Sequence, residues 1–213
     1  MLDDTVPTTF PMQLPAEQWD AIEAAYATPP RAYHDLRHVQ AVLGHYLDVA
    51  DGPGWIQPVE VWFAVLYHDA MYVPGARDNE ARSAELARQH IARWLADAGI
   101  DATRVTELIR LTARHGALAN SDLASDPHPA DARHFLDCDM AILGAAPSVF
   151  AAYDRAIANE YRGVVPAWLF KLNRRRFLKV LLARERIFLS DFFHARLDAQ
   201  ARINLRRAIN EKR

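Results

Sequence analysis

The sequence has little of several features, and each shortage excludes a class of protein. One cysteine, Cys138, among 213 residues cannot form an intramolecular disulfide or a thiolate metal cluster, and it favours a reducing compartment. No apolar run approaches the roughly 18 residues that a membrane span needs. A net charge of -2 gives no reason to expect nucleic acid or an anionic membrane as a partner. We therefore expect a cytoplasmic protein, either a monomer or a homodimer.

The apolar residues that are present recur with helical spacing. Hydrophobic residues make up 51% of the chain and charged residues 24%, which is typical of a folded globular protein. Sustained period-two alternation is missing from the sequence. The pattern predicts one all-α domain, a bundle of about eight or nine helices, with its core over residues 16–210 and no linker within 1–213. The predicted helices cover residues 16–28, 35–50, 58–70, 80–98, 102–115, 131–143, 147–161, 166–189 and 197–210.

The pair His68-Asp69 ends one of the most apolar segments of the chain. Pro58 suits the first turn of a helix, and residues 59–67 are apolar almost all the way round, as in a buried helix. An unpaired charge at the inner end of such a helix is costly to bury. A divalent cation satisfies adjacent imidazole and carboxylate groups. The pair therefore predicts a metal site.

Further candidate ligands lie on both sides of this pair. His38 and His45 are seven residues apart and share a helix face away from the apolar stripe, so each is either a ligand or a surface histidine. Asp137 and Asp139 differ by about 200° on a helical wheel, so at most one of them faces a given site. The apolar neighbours of Asp139 favour a buried role for it, and a surface acid is the alternative.

The ordered set His38, His68-Asp69 and Asp139 resembles the signature of the HD superfamily of metal-dependent phosphohydrolases. Further stretches resemble a bacterial branch of predicted HD hydrolases without an assigned substrate, and together they span about residues 30–210. These stretches are Tyr33-His34-x-x-x-His38, His68-Asp69-x-x-Tyr72, Asn79-Glu80-x-x-Ser83-Ala84, Thr112-x-x-His115, Asp137-x-Asp139 and Ala201-Arg202-x-Asn204-Leu205.

The resemblance implies an all-helical fold in which His38, His68, Asp69 and Asp139 ligate one divalent transition metal ion. Two imidazoles and two carboxylates suit Mn²⁺, Fe²⁺, Co²⁺, Ni²⁺ or Zn²⁺, and Mg²⁺ is also possible. Such an ion lowers the pKa of a bound water and polarises a phosphoryl oxygen. The implied activity is hydrolysis of a phosphoester or phosphoanhydride in a small phosphorylated substrate, with a nucleotide expected.

Four residues, three of them outside the ligand set, are candidates for catalysis or substrate binding. Asp69 itself can orient the attacking water, and Glu80 can act as general base, although a first-turn glutamate is also favoured by the helix dipole. His34 is a candidate substrate contact, with a surface histidine as the alternative. The family pattern around His115 implies contact with a substrate phosphate or a second metal, whereas a histidine at a helix C-terminus is stabilised by the dipole alone.

A basic cluster on the predicted helix 166–189 supplies the remaining candidates. Arg174, Arg175, Arg176 and Lys179 form this cluster, and a solvated face is its simplest interpretation. Arg176 shares a wheel face with four apolar residues, which predicts that its guanidinium points inward or snorkels to the surface, and an inward arginine is suited to clamp a phosphate. The arginine of the family aligns with Arg174 instead. Both Arg174 and Arg176 are therefore candidate substrate-binding residues.

Two other functions remain open at this point. Some relatives of the HD fold are di-iron oxygenases, and that function would need extra ligands, with His115 the obvious one. The third alternative is a non-catalytic nucleotide-binding module. Ala70 and Met71 follow the His-Asp pair where the stringent-response nucleotide hydrolases have acidic residues, so that activity is not implied.

Overall fold

The computed structural model describes residues 10–29 and 31–210, and most of this part of the chain is helical. Within it, nine α-helices and three short 3-10 helices occur without a β-strand, which confirms the predicted all-α bundle. The α-helices are α1 (Ala16–Tyr26), α2 (Leu36–Ala50), α3 (Pro58–Tyr67), α4 (Asn79–Trp94), α5 (Ala102–Leu111), α6 (Pro129–Met140), α7 (Pro147–Glu160), α8 (Ala167–Ala183) and α9 (Asp191–Asn210).

Helix α3 lies at the centre of the bundle and contacts α2, α4, α5 and α6. Pro58 occupies its first turn, and all seven residues from Val61 to Tyr67 are buried, as the apolar run predicts. The helix ends at Tyr67, three residues earlier than expected. His68 and Asp69 therefore lie in the turn that follows the helix, where the chain bends away and both side chains can face the same point.

The predicted single helix over residues 166–189 is wrong in its last part. Helix α8 ends at Ala183, and α9 begins at Asp191 rather than at residue 197. The segment between them is buried over residues 187–190 but is not helical. The Asp137 carboxylate accepts hydrogen bonds from the backbone N–H groups of Leu189 and Ser190, both at 2.7 Å. These bonds replace the helical bonds that the two donors would otherwise make.

The remaining boundaries differ from the prediction mainly at helix C-termini. Helix α4 stops at Trp94 instead of residue 98, and α5 stops at Leu111 and continues as a 3-10 turn over Thr112–Arg114. Across the described residues, no single helix is both long and apolar enough to cross a membrane, although one bent pair of helices passes that test jointly.

Candidate metal centre

The donor atoms of four side chains meet at one point beside α2, α3 and α6. They belong to His38, His68, Asp69 and Asp139, and all lie within 4.8 Å of one another. His38 Nε2 lies 3.0 Å from His68 Nε2, 3.1 Å from Asp139 Oδ1 and 3.4 Å from Asp69 Oδ2. His68 Nε2 lies 3.3 Å from Asp69 Oδ2. The structure therefore brings together the four residues that the sequence predicts as metal ligands.

The spacing of these atoms fits a single metal ion. Ligand atoms about 2.1 Å from an ion stand roughly 3.0–3.4 Å apart in octahedral or tetrahedral geometry. Two imidazole nitrogens at 3.0 Å repel each other unless a proton or a cation lies between them. Three of the four residues are buried and Asp69 is half-buried, so water cannot fully satisfy the group. This group can hold a metal ion, and its mixture of imidazole and carboxylate suits a first-row transition metal.

The His68 ring is oriented by the helix that precedes it. Its Nδ1 lies 2.9 Å from the backbone carbonyl oxygen of Val65, one turn back in α3. A carbonyl only accepts, so Nδ1 carries the proton and donates it. In a neutral imidazole the lone pair is then on Nε2, the atom that faces the cluster. This is the usual arrangement for a metal-binding histidine.

Electrostatic coupling within the group is strong. Burial alone would lower the pKa of His38, but the carboxylates of Asp139 and Asp69 raise it above its ordinary value. The pKa of His68 is likewise raised against the effect of burial, chiefly by Asp69. Burial would raise the pKa of Asp69, yet the imidazoles of His68 and His34 lower it well below its ordinary value. The two carboxylates therefore stay ionised and require positive charge beside them, from protons or from a metal.

Asp139 divides its two oxygens between the cluster and His115. Its Oδ1 faces His38, while its Oδ2 lies 2.7 Å from His115 Nδ1. The His115 imidazole helps to hold the pKa of Asp139 well below its ordinary value against the effect of burial. The neighbouring Asp137 points to the opposite side of α6, toward Ser190. This outcome agrees with the wheel argument that only one of the two aspartates faces the site.

Arg31 fixes the backbone on which Asp69 sits. Its guanidinium donates to the carbonyl oxygens of Asp69 and Ala70, both at 2.8 Å, and to that of Ala25 at 3.1 Å. It also donates to the carbonyl oxygen of His34. One side chain therefore ties the end of α1, the entrance to α2 and the turn after α3 together.

A buried carboxylate at the end of α7 completes the support of the site. Glu160 Oε1 accepts hydrogen bonds from the backbone N–H groups of Ala32, Tyr33 and His34 at 2.8–2.9 Å. Its Oε2 lies 2.7 Å from His34 Nδ1 and accepts from the Tyr72 hydroxyl at 3.0 Å. Burial opposes ionisation of this group, but the His34 hydrogen bond and the backbone donors lower its pKa to about 2.

A polar cavity of about 280 Å³ opens onto the metal centre. Asp69 and Asp139 line it, and so do four of the residues that the sequence proposes for catalysis or substrate binding: His34, Glu80, His115 and Arg174. Glu80 reaches it from the first turn of α4. These six residues therefore line one partly open cavity.

The structure separates the two candidate arginines. Arg174 lines the cavity, and its Nε donates to Asp154 Oδ1 at 3.0 Å. Its Nη2 is buried and has no hydrogen-bond partner. Arg176 is exposed to solvent, so of its two predicted orientations the inward one is wrong. The wheel argument failed because α8 packs mainly on α9 and leaves most of its circumference in solvent.

An apolar groove of about 460 Å³ lies on the other side of His38 and Asp139. Its walls come mainly from α2 and α7, and six alanines line it. Tyr33 and Tyr153 line both this groove and the polar cavity, and their ring centroids are 4.6 Å apart. This aromatic pair therefore forms part of the boundary between the polar cavity and the apolar groove.

Two supporting residues were missed by the sequence reasoning. Glu160 carries a signal that was available, because a carboxylate at a helix C-terminus is disfavoured by the dipole and needs another reason to be there. Arg31 carries none, since its partners are backbone carbonyls far away in sequence.

Comparison of the chain with protein-family models, with curated proteins and with solved structures gave no match in any of the three. The resemblance to the HD superfamily therefore rests on the sequence motifs and stays a prediction.

Proposed function

We propose that this protein is a metal-dependent phosphohydrolase that acts on a small phosphorylated substrate, with a nucleotide as the expected class. The proposal rests on two features that line the same small cavity. One is the group of side chains that could hold a cation, and the other is Arg174, whose buried Nη2 has no hydrogen-bond partner. A phosphoryl group carries negative charge on several oxygens and can satisfy both at once.

The residues of the chain have distinct tasks in this proposal. His38, His68, Asp69 and Asp139 hold the ion, which when bound lowers the pKa of a coordinated water and polarises a phosphoryl oxygen. Arg174 Nη2 donates to a phosphate oxygen. Such a donor is strongest in a buried site, where water does not compete with it.

Proton transfer is assigned to the carboxylates at the cavity wall. Glu80 accepts the proton of the attacking water at its carboxylate, and Asp69 orients that water with the oxygen that faces away from His68. His34 is held by Glu160 and contacts the substrate from the side of α2. Of the cavity-lining candidates, His115 is left to pair with Asp139 Oδ2.

Metal analysis of the purified protein, followed by a phosphatase screen with Mn²⁺, Co²⁺ and Mg²⁺, tests the proposal. We expect close to one ion per chain and hydrolysis of at least one phosphorylated metabolite. His38→Ala should lose both. His45→Ala, a change of the same kind on the same helix but half-exposed and paired with Asp48, should lose neither. Stoichiometric metal with no phosphatase activity on any substrate, or activity that survives His38→Ala, contradicts the proposal.

Arg174 gives a second, independent test. Arg174→Ala should lower kcat/KM by roughly 10²-fold while the metal content stays unchanged, because the guanidinium acts on the phosphate and not on the ion. Lys179→Ala, on the exposed side of the same helix, is the matched control. Equal losses in both variants would remove Arg174 from the mechanism.

The alternatives make different predictions for the same preparation. In the described residues a single group of donor atoms meets at one point, which favours one ion over two. A di-iron oxygenase would contain two irons per chain and show a visible absorption band. A non-catalytic nucleotide-binding module would be stabilised by nucleotide without forming a product. The cytoplasmic location and the monomeric or dimeric state stay predictions.

A further inference from the structure

A third and larger concave space lies outside the polar cavity and the apolar groove described above. This groove has a volume of about 830 Å³ and is formed by α7, α8 and the end of α9. Helix α8 packs mainly on α9 and contacts α7 through Arg174 and Asp154. A volume of this size is within the range of small-molecule sites, which is roughly 300–1,000 Å³.

The rim of the groove is basic. Arg162, Lys171, Arg174 and Arg175 line it, and the acid among the described lining residues is Asp154. The cationic groups outnumber the carboxylate among the described lining residues, although Arg174 pairs with Asp154 and the whole chain has a net charge of -2. A local surplus on a slightly acidic protein attracts anions to this place in particular.

The floor of the groove is apolar and partly aromatic. Tyr161 and Phe170 line it as half-buried rings with centroids 5.3 Å apart and a 36° tilt, and Leu178 lies deeper. Aromatic side chains of this kind stack on planar ligands, and a cationic rim adds contacts with charged groups. The chemistry of the groove therefore suits a ligand with a planar aromatic part and at least one anionic group.

We propose that this groove is a second ligand-binding site, separate from the metal cavity, that takes an aromatic anion such as a nucleotide. Tyr161 and Arg174 line both spaces and form the boundary between them. The proposal does not depend on phosphohydrolase activity, because it concerns equilibrium binding at residues outside the metal centre.

Calorimetric titration of ADP into the full chain with the metal removed by a chelator tests the site. We expect saturable binding that is tighter than binding of pyrophosphate, which lacks the ring, and of adenosine, which lacks the charge. Arg175→Glu should weaken ADP binding about tenfold or more. Lys179→Glu makes the same change of charge on the same helix outside the groove and should leave the affinity within about twofold.

The location of the site is tested by comparing these variants with a variant of the metal centre. Asp139→Asn should leave ADP affinity unchanged, whereas Phe170→Ala should weaken it by removing half of the aromatic floor. Circular dichroism confirms that each variant is folded. Absence of ADP binding at millimolar concentration overturns the proposal. So does equal weakening by Arg175→Glu and Lys179→Glu, or a loss of ADP binding in Asp139→Asn with none in Arg175→Glu.

Discussion

Glu160 Oε2 lies 2.7 Å from His34 Nδ1, and this contact joins the end of α7 to the entrance of α2. The same carboxylate holds three consecutive backbone N–H groups of the entrance and the Tyr72 hydroxyl from the turn after α3. Glu160 is an ionised group in a buried position, and it binds both the entrance of α2 and the turn after α3. Removal of this carboxylate should therefore lower the free energy of unfolding.

We expect Glu160→Gln to destabilise the protein by roughly 2 kcal/mol at pH 7, allowing for screening by solvent in the adjoining cavity. The pKa of Glu160 is about 2 in the folded state against an ordinary value of 4.5. A lowered pKa gives stability that is fully present above pH 4.5 and is lost as the pH falls toward 2. Urea unfolding of both proteins between pH 7 and pH 3 should show their difference shrinking with acidity. The exposed Glu17→Gln change is the control, and a pH-independent difference would contradict the assignment.

Metal binding should release protons, and its affinity should fall as the pH falls. The pKa values of His38 and His68 are raised above the ordinary 6.5, so the metal-free imidazoles carry protons that an ion must displace. Calorimetry of Mn²⁺ or Zn²⁺ binding in two buffers with different ionisation enthalpies measures the number released. Saturating metal at 100 times Kd should also stabilise the protein by about 2.7 kcal/mol. Affinity that does not change between pH 8 and pH 6 would show that the imidazoles are already neutral.

The two aspartates near the end of α6 should differ in their effect on metal binding. Asp137→Asn should lower the free energy of unfolding by roughly 1–3 kcal/mol, because it disrupts a buried acceptor for Leu189 and Ser190. It should leave the metal stoichiometry intact. Asp139→Asn should abolish tight metal binding, and at pH 7 it should also destabilise the metal-free protein, because the imidazoles that hold the pKa of Asp139 well below its ordinary value lose their partner. Chemical denaturation and metal analysis of both variants test this prediction. Loss of the metal in Asp137→Asn but not in Asp139→Asn would contradict it.

Two glycines predict opposite effects of the same substitution. A Cβ at Gly144 would lie 2.6 Å from Leu197 Cβ and 2.9 Å from the Leu197 backbone oxygen, so α9 would have to move. Gly144→Ala should destabilise the protein by roughly 1–3 kcal/mol. Gly44, within α2, has nothing within 4 Å, and Gly44→Ala should stabilise it by roughly 0.5–1 kcal/mol. Thermal unfolding measures both, and stabilisation by Gly144→Ala would contradict the described packing.

Periodicity predicted the all-α class, and the apolar run before His68 predicted a metal site at that residue, because both are local signals. The full set of His38, His68, Asp69 and Asp139 came from the resemblance to the HD superfamily, and the structure brings those four side chains together. The apolar run before His68 predicts a buried helix, and it therefore predicts that His68 lies near the core, without information about the other helices. The bend between α8 and α9 could not be predicted in this way, because its hydrogen-bond acceptors are Asp137 on α6 and Asp198 on α9, which lie 52 and 11 positions from their donors Leu189 and Ile187. Arg176 was misplaced for a similar reason: a helical wheel shows which residues share a face but not whether that face meets a neighbour.

The metal centre also has a consequence for folding order. His38 and Asp139 are 101 positions apart and come from different helices, so their donor atoms meet only after α2, α3 and α6 have packed together. Contacts so distant in sequence form slowly, because a long loop must close first. An ion that needs all four ligands therefore has little affinity for partly folded chains. Metal binding would therefore occur late in folding and would stabilise only those molecules in which α2, α3 and α6 have packed together.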